Sequence, residues 1–130
     1  EETTMHRQTI TICGSLTRAA DAMNLIAWHL KAAGHIVYQP TPKPANVTHM
    51  TDLQRRRITE GHLAAIRRSS LVILVVPDSY MGDATRAEMD HAEQHQIPTQ
   101  LVVDVEEFLA DLADGLYDIE ASQAQHATHR

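Results

Sequence analysis

The chain of 130 residues is short of several things at once. It holds a single cysteine, Cys13, which excludes an intramolecular disulfide framework and a CxxC metal motif. One Trp, one Phe and three Tyr leave few aromatic faces on which to stack a flavin. No apolar run reaches the roughly 18 residues that a membrane-spanning helix needs. The basic surplus of a phosphate-backbone binder is missing too, because net charge is −6 with histidine neutral, so nucleic acid is not an expected partner. The opening EETTMHRQTI has no basic stretch followed by an apolar one, so neither a secretory signal nor a membrane partner is expected and the default location is cytoplasmic.

What is present is an alternation of two periodicities. Thr9 to Cys13 is short, rich in β-branched residues and followed at once by Gly14-Ser15, which reads as a strand ending in a tight loop. From Thr17 to Ala33, apolar residues recur at Ala19, Ala22, Met23, Ile26, Ala27, Leu30 and Ala33, the three- and four-residue spacing of an amphipathic helix. Gly34 suits the left-handed residue that closes such a helix. His35 to Gln39 reads as a second strand broken by Pro40, and three prolines make Pro40 to Asn46 a loop. Thr51 or Asp52 can cap a helix to about Arg68, with Leu53, Ile58, Leu63 and Ile66 as its apolar positions.

Leu71 to Val76 is continuously apolar, the pattern of a strand covered on both faces. After Pro77, the polar loop Asp78-Ser79-Tyr80-Met81-Gly82 leads to Asp83, read as the N-cap of a helix through Gln96. Gln100 to Val103 is a further short strand, and Val105 to about Leu116 a last acidic helix. This βαβαβαβα order predicts an α/β fold: a single-domain, open, mostly parallel sheet with helices on both faces, a Rossmann/flavodoxin-like three-layer sandwich. The expected domain is 8–119, with flexible ends at 1–7 and 120–130. Ligands of such sheets bind beyond the carboxyl ends of the strands, which gathers the loop 14–18, the loop 40–46 and the loop 78–83.

Those loops carry the candidate ligand contacts. Gly14 lets backbone approach a ligand, and the helix start after Ser15 and Arg18 favours an anion. A plain strand-to-helix turn capped by Ser or Thr explains the same residues equally well. In the third loop Asp83, Arg86 and Glu88 share one helix start, and Glu88 falls about a turn and a half inside. The positive end of the helix dipole is expected to keep its carboxylate ionised. His91 and His95 have the i, i+4 spacing of a metal clamp, but HExxH is missing and no third ligand stands nearby in sequence, so no metal and no cofactor is expected. Ser15 lacks the GxSxG setting of a nucleophile elbow. Arg55-Arg56-Arg57 with Arg67-Arg68 reads as a solvated helix face.

Three stretches together, ITICGSLTRAADAMNLIAWHLKAAGHIVYQP, ITEGHLAAIRRSSLVILVV and PDSYMGDATRAEMDHAEQHQIPT, resemble the nucleoside 2-deoxyribosyltransferase-like superfamily, which includes 2′-deoxynucleoside 5′-phosphate N-hydrolases. The resemblance covers about residues 8 to 103. It implies an N-glycosidase or N-(deoxy)ribosyltransferase acting on a nucleoside or nucleoside 5′-monophosphate, with Glu88 as the nucleophile on the anomeric carbon. Gly14, Ser15, Arg18, Asp78, Tyr80, Gly82 and Arg86 are the implied substrate contacts, and a homodimer or higher homo-oligomer, with the helix 52–68 as a candidate interface, the implied assembly. Three positions depart from the family pattern. His62 stands where the family usually has the acidic residue that protonates the departing base. Ser70 replaces an Asp before the third strand, and Thr11 replaces a Tyr that orients the nucleophile, a role Tyr80 could take over from its loop. These departures keep open an alternative, a catalytically inactive nucleotide-binding module of the same fold.

Overall fold

The computed structural model describes residues 7–114. The elements run β1 (Thr9–Gly14), α1 (Ala20–Ala32), β2 (Ile36–Tyr38), α2 (Asp52–Arg67), β3 (Leu71–Val75), α3 (Asp83–Gln94), β4 (Thr99–Val102) and α4 (Val105–Ala113). The strands form one sheet in the order β2-β1-β3-β4. Every pairing in it is parallel, with Thr11 opposite Tyr38 and Val72, and Val75 opposite Gly14 and Val102. The chain steps from β1 to one side for β2, then back across β1 for β3. Crossovers of one hand must therefore put their helices on opposite faces, and the packing agrees. Ile10, Ile12, Leu71, Ile73 and Val75 meet α1 and α4 through Met23, Ile26, Leu30 and Phe108. Cys13, Val72 and Leu74 meet α2 and α3 through Ile66 and Ala92. The period-2 alternation of a strand does the sorting.

The sheet is the expected three-layer α/β fold, and its element ends differ from expectation in instructive ways. The helix expected from Thr17 becomes regular only at Ala20, because Ser15 builds a separate turn: its carbonyl accepts from Ala19 N at 2.8 Å and its hydroxyl from Thr17 N and Arg18 N. Gly34 does take the left-handed conformation, at φ 102°. Thr51 rather than Asp52 caps α2, in a reciprocal capping box with Gln54. Asp83 is not the cap of α3. Gly82 holds that position without a side-chain bond, and Asp83 lies in the first turn. That helix ends at Gln94, followed by Gln96 at φ 59°. The last strand begins one residue early, at Thr99, and ends at Val102. Asp104 caps α4 through Glu107 N at 3.0 Å.

α2 was expected to turn Leu53 and Ile58 inward. Both are exposed, while Ile66 is fully buried. Only the C-terminal half of this 16-residue helix lies on the sheet; its first turns overhang the strand ends and form a wall. The expected ends, 1–7 and 120–130, lie outside the described residues except for Arg7, and the last helix, expected to about Leu116, ends at Ala113. Among the described residues no helix is long and apolar enough to cross a membrane.

Candidate functional site

The reversal of strand order falls between β1 and β3, the switch point at which ligands of open α/β sheets bind. β1 must end there in glycine. A β-carbon on Gly14 would stand 2.9 Å from both Met23 Sδ and the Val75 carbonyl oxygen, so a side chain at this position would clash with its neighbours. One residue earlier, Cys13 faces the α2/α3 layer and is wholly buried. His62 reaches down from α2, and Glu88 reaches across from α3. Cys13 Sγ lies 3.5 Å from His62 Nε2, and His62 Nε2 lies 3.6 Å from Glu88 Oε2. The side chains of His62 and Glu88 keep only 11% and 21% of their surface exposed.

Burial dominates the electrostatics of this cluster. Removing water from around Glu88 pushes its carboxyl up from 4.5 to about 7, and a hydrogen bond from the Cys13 thiol pulls only part of this back. Six residues into its helix, Glu88 is beyond the first turn, where the dipole acts most strongly. The expectation that the helix dipole keeps Glu88 fully ionised is therefore corrected: desolvation wins. Cys13 is pushed well above the usual thiol range by burial and by the Glu88 charge beside it, so it stays a thiol and a donor. Burial lowers His62, leaving its imidazole neutral near pH 7.

His62 and Glu88 open onto a cleft of about 420 Å³. Leu16, Tyr38 and Pro40 line it on one side, and Arg57, Ile58 and Ala65 of α2 on the other. The sequence reading did not single out Cys13, Tyr38 or Arg57 as site residues. Cys13 bears in sequence only on disulfides and a CxxC metal motif, although its place at the end of an alternating strand puts it on the α2/α3 face. Arg57 was read with its neighbours as a solvated face, yet it borders the cleft.

The implied substrate contacts divide. Gly14 sits at the junction of β1 and β3. The Ser15 hydroxyl accepts from Thr17 N and Arg18 N in the local turn. Arg18, Asp78 and Tyr80 engage one another. The Arg18 guanidinium bonds Asp78 Oδ2 at 3.1 Å and lies 3.9 Å above the Tyr80 ring, and Asp78 Oδ1 accepts from Tyr80 N at 3.2 Å. The Tyr80 backbone N–H foremost, then Arg18, hold Asp78 below the usual carboxylate range. Tyr80 packs against Gly82 and is 49% exposed. Its ring packs beneath the Arg18 guanidinium. Arg86 is exposed on α3.

The departures from the family pattern have local causes. Thr11 is buried and shares a 2.6 Å hydrogen bond with Ser69, whose own hydroxyl donates to the Ala65 carbonyl. It therefore ties β1 to the end of α2 and leaves Glu88 alone. Ser70 bonds Gln8 and Thr9 at the opposite end of the sheet, so its identity does not bear on the cleft. His91 and His95 stack at 4.4 Å, and His91 Nε2 is 3.1 Å from the guanidinium of Arg67, a poor neighbour for a cation.

The sheet and its flanking helices give a fold similar to that of a solved 2-deoxyribosyltransferase. A solved structure that it matches is the 2-deoxyribosyltransferase of the psychrotolerant bacterium Bacillus psychrosaccharolyticus, described as a biocatalyst for synthesis of antiviral and antitumoral nucleosides. The superposition has a TM-score of 0.57 at 16% identity and covers 71% of this chain and 69% of the other. No protein-family model and no curated protein sequence matches the chain.

Proposed function

We propose that the cleft binds a nucleoside or nucleoside 5′-monophosphate and that Glu88 cleaves its N-glycosidic bond. The observation that carries this reading is the position of Glu88, a half-buried carboxylate at the mouth of the switch-point cleft with an imidazole and a thiol around it. Its ionised form attacks the anomeric carbon as the carbon–nitrogen bond breaks and the bonding pair leaves with the base. His62 supplies the proton that the base takes up. Water, or a second base, then displaces Glu88 from the sugar.

Because burial raises Glu88 and lowers His62, the pair titrates as a unit. The reactive arrangement, Glu88 ionised with His62 protonated, is then a minority of the one-proton state. Arg57, rather than Arg18, is the arginine that borders the cleft and faces a 5′-phosphate. The same reading takes the chain as a homodimer, with the exposed Leu53 and Ile58 of the overhanging α2 covered by a second copy.

The test is a chromatographic screen for free base, run on nucleosides and their monophosphates. Base release abolished in Glu88→Ala, with the circular dichroism spectrum unchanged, is the expected result; full activity in that variant refutes the reading. The buried Thr11–Ser69 bond leaves no phenol to orient Glu88, and this favours a second reading, a nucleotide-binding module without turnover. Thermal stabilisation by nucleotides with no base released would select it.

A further inference from the structure

The three groups that converge below the cleft are a thiol, an imidazole and a carboxylate, one ligand atom each. All three atoms lie within 4.8 Å of one another. The shorter separations are informative. The His62–Glu88 distance of 3.6 Å is longer than a hydrogen bond, and the Cys13–His62 distance of 3.5 Å is at the long end for one to sulfur. For a tetrahedral Zn²⁺ with its usual bond lengths, the S···N edge is about 3.6 Å and the N···O edge about 3.4 Å. Both observed distances fall within about 0.2 Å of those edges.

From this we infer that Cys13, His62 and Glu88 form a three-ligand Zn²⁺ site, its fourth position open to the cleft. Thiolate, imidazole and carboxylate together suit a borderline-soft ion, in contrast to the all-oxygen sets of magnesium and calcium. Two ligand anions cancel the charge of the ion, so the buried complex is neutral; the thiol and carboxyl release their protons to solvent as they ligate. The ligands come from β1, α2 and α3, so the ion would cross-link the sheet to both helices packed on that face. It would also occupy the oxygen of Glu88 proposed to attack the sugar. Metal binding and glycosidic cleavage would then exclude each other, a consequence that rests on the reading of Glu88 above; the site itself does not.

The test uses the metal-free chain titrated with Co²⁺ as a spectroscopic probe, and with Zn²⁺ in competition with a chromophoric chelator. One equivalent should bind and give a sulfur-to-cobalt charge-transfer band that Zn²⁺ removes. Cys13→Ser should lose the band and weaken Zn²⁺ by more than roughly 100-fold, beyond the loss expected from an outer-shell partner. Loss of a buried thiol can unfold the chain, so His62→Ala and Glu88→Gln, at the cleft surface, provide second variants that should also weaken binding. His91→Ala/His95→Ala should bind as the parent does. A charge-transfer band that persists in Cys13→Ser, binding abolished only in the His91/His95 variant, or no stoichiometric binding, each overturns the inference. Zn²⁺ binding without base release in the metal-free chain would leave the metal site standing and remove the glycosidase; base release unaffected by bound Zn²⁺ would overturn the mutual exclusion.

Discussion

Replacing Glu88 by Gln should make the protein more stable, and only above acid pH. Burial raises this carboxyl from 4.5 to about 7, so between those values the folded chain holds a proton that the unfolded chain has lost. Stability contributed by such a group falls as pH rises from about 4.5 to about 7, after which the whole cost of burying the charge is present. A shift of that size corresponds to about 3 kcal/mol. The figure already contains the relief given by the Cys13 thiol. Gln has the same shape and no charge to desolvate. Glu88→Gln and the parent should therefore unfold alike near pH 4. The variant should gain about 3 kcal/mol by pH 8, or roughly 10 °C in Tm for a domain of this size. Urea melts of both proteins across that range give the difference directly. The buried histidines His62 and His35, which burial lowers, act with the opposite sign: each lends stability above its unfolded value that is lost as pH falls. His35 is present in both proteins and cancels, whereas His62 titrates with Glu88 and is read together with it. A difference that does not change with pH, or a parent more stable than the variant at pH 8, would refute the argument that desolvation controls Glu88.

Three further outcomes follow from single contacts. Ser69→Ala removes the acceptor for the Thr11 hydroxyl, which is wholly buried; it should cost about 1–3 kcal/mol in denaturant melts, with the Thr11→Val/Ser69→Ala pair recovering part of the loss. Gly14→Ala forces a methyl to 2.9 Å from the Val75 carbonyl oxygen and should cost about 1–3 kcal/mol, measured the same way. Arg57→Ala should raise KM for a nucleoside 5′-monophosphate by roughly 10- to 100-fold and leave the nucleoside unchanged, the loss of one charge-assisted contact; equal effects on both substrates would remove Arg57 from the phosphate.

Most of the fold was legible because two segments admit little else. Leu71 to Val75 is buried at every position, as an uninterrupted apolar run in a parallel sheet has to be. The stripe Met23, Ile26, Ala27 and Leu30 is the buried face of α1. What sequence patterns misplaced were the margins, where a different interaction takes over from periodicity. Ser15 diverts the start of α1 into a hydroxyl-capped turn. In α2 the apolar spacing continues past the end of the sheet, so Leu53 and Ile58 keep the period of a buried face with no sheet beneath them. Periodicity reports which residues share a side, not how far the partner extends.

The site shows the same division between what a pattern holds and what only packing reveals. Glu88 and His62 could be picked out by resemblance, since each sits on a helix whose register is strongly patterned. Their protonation could not, because it depends on how much water the cleft walls leave around them. The sequence suggested a carboxylate supported by a helix dipole, but a dipole felt mainly in the first turn is outweighed once two layers close over the side chain. Cys13 illustrates the converse. Counted alone, one cysteine excludes a disulfide and says nothing more; placed by strand parity, it must face the same layer as Val72 and Leu74, and the switch between β1 and β3 brings α2 and α3 down onto it. Position 11, two residues away on that face, carries a short hydroxyl that fills a structural bond with Ser69. Any account of reactivity must therefore start from the water excluded from Cys13, His62 and Glu88, because burial is the largest influence on the protonation of all three.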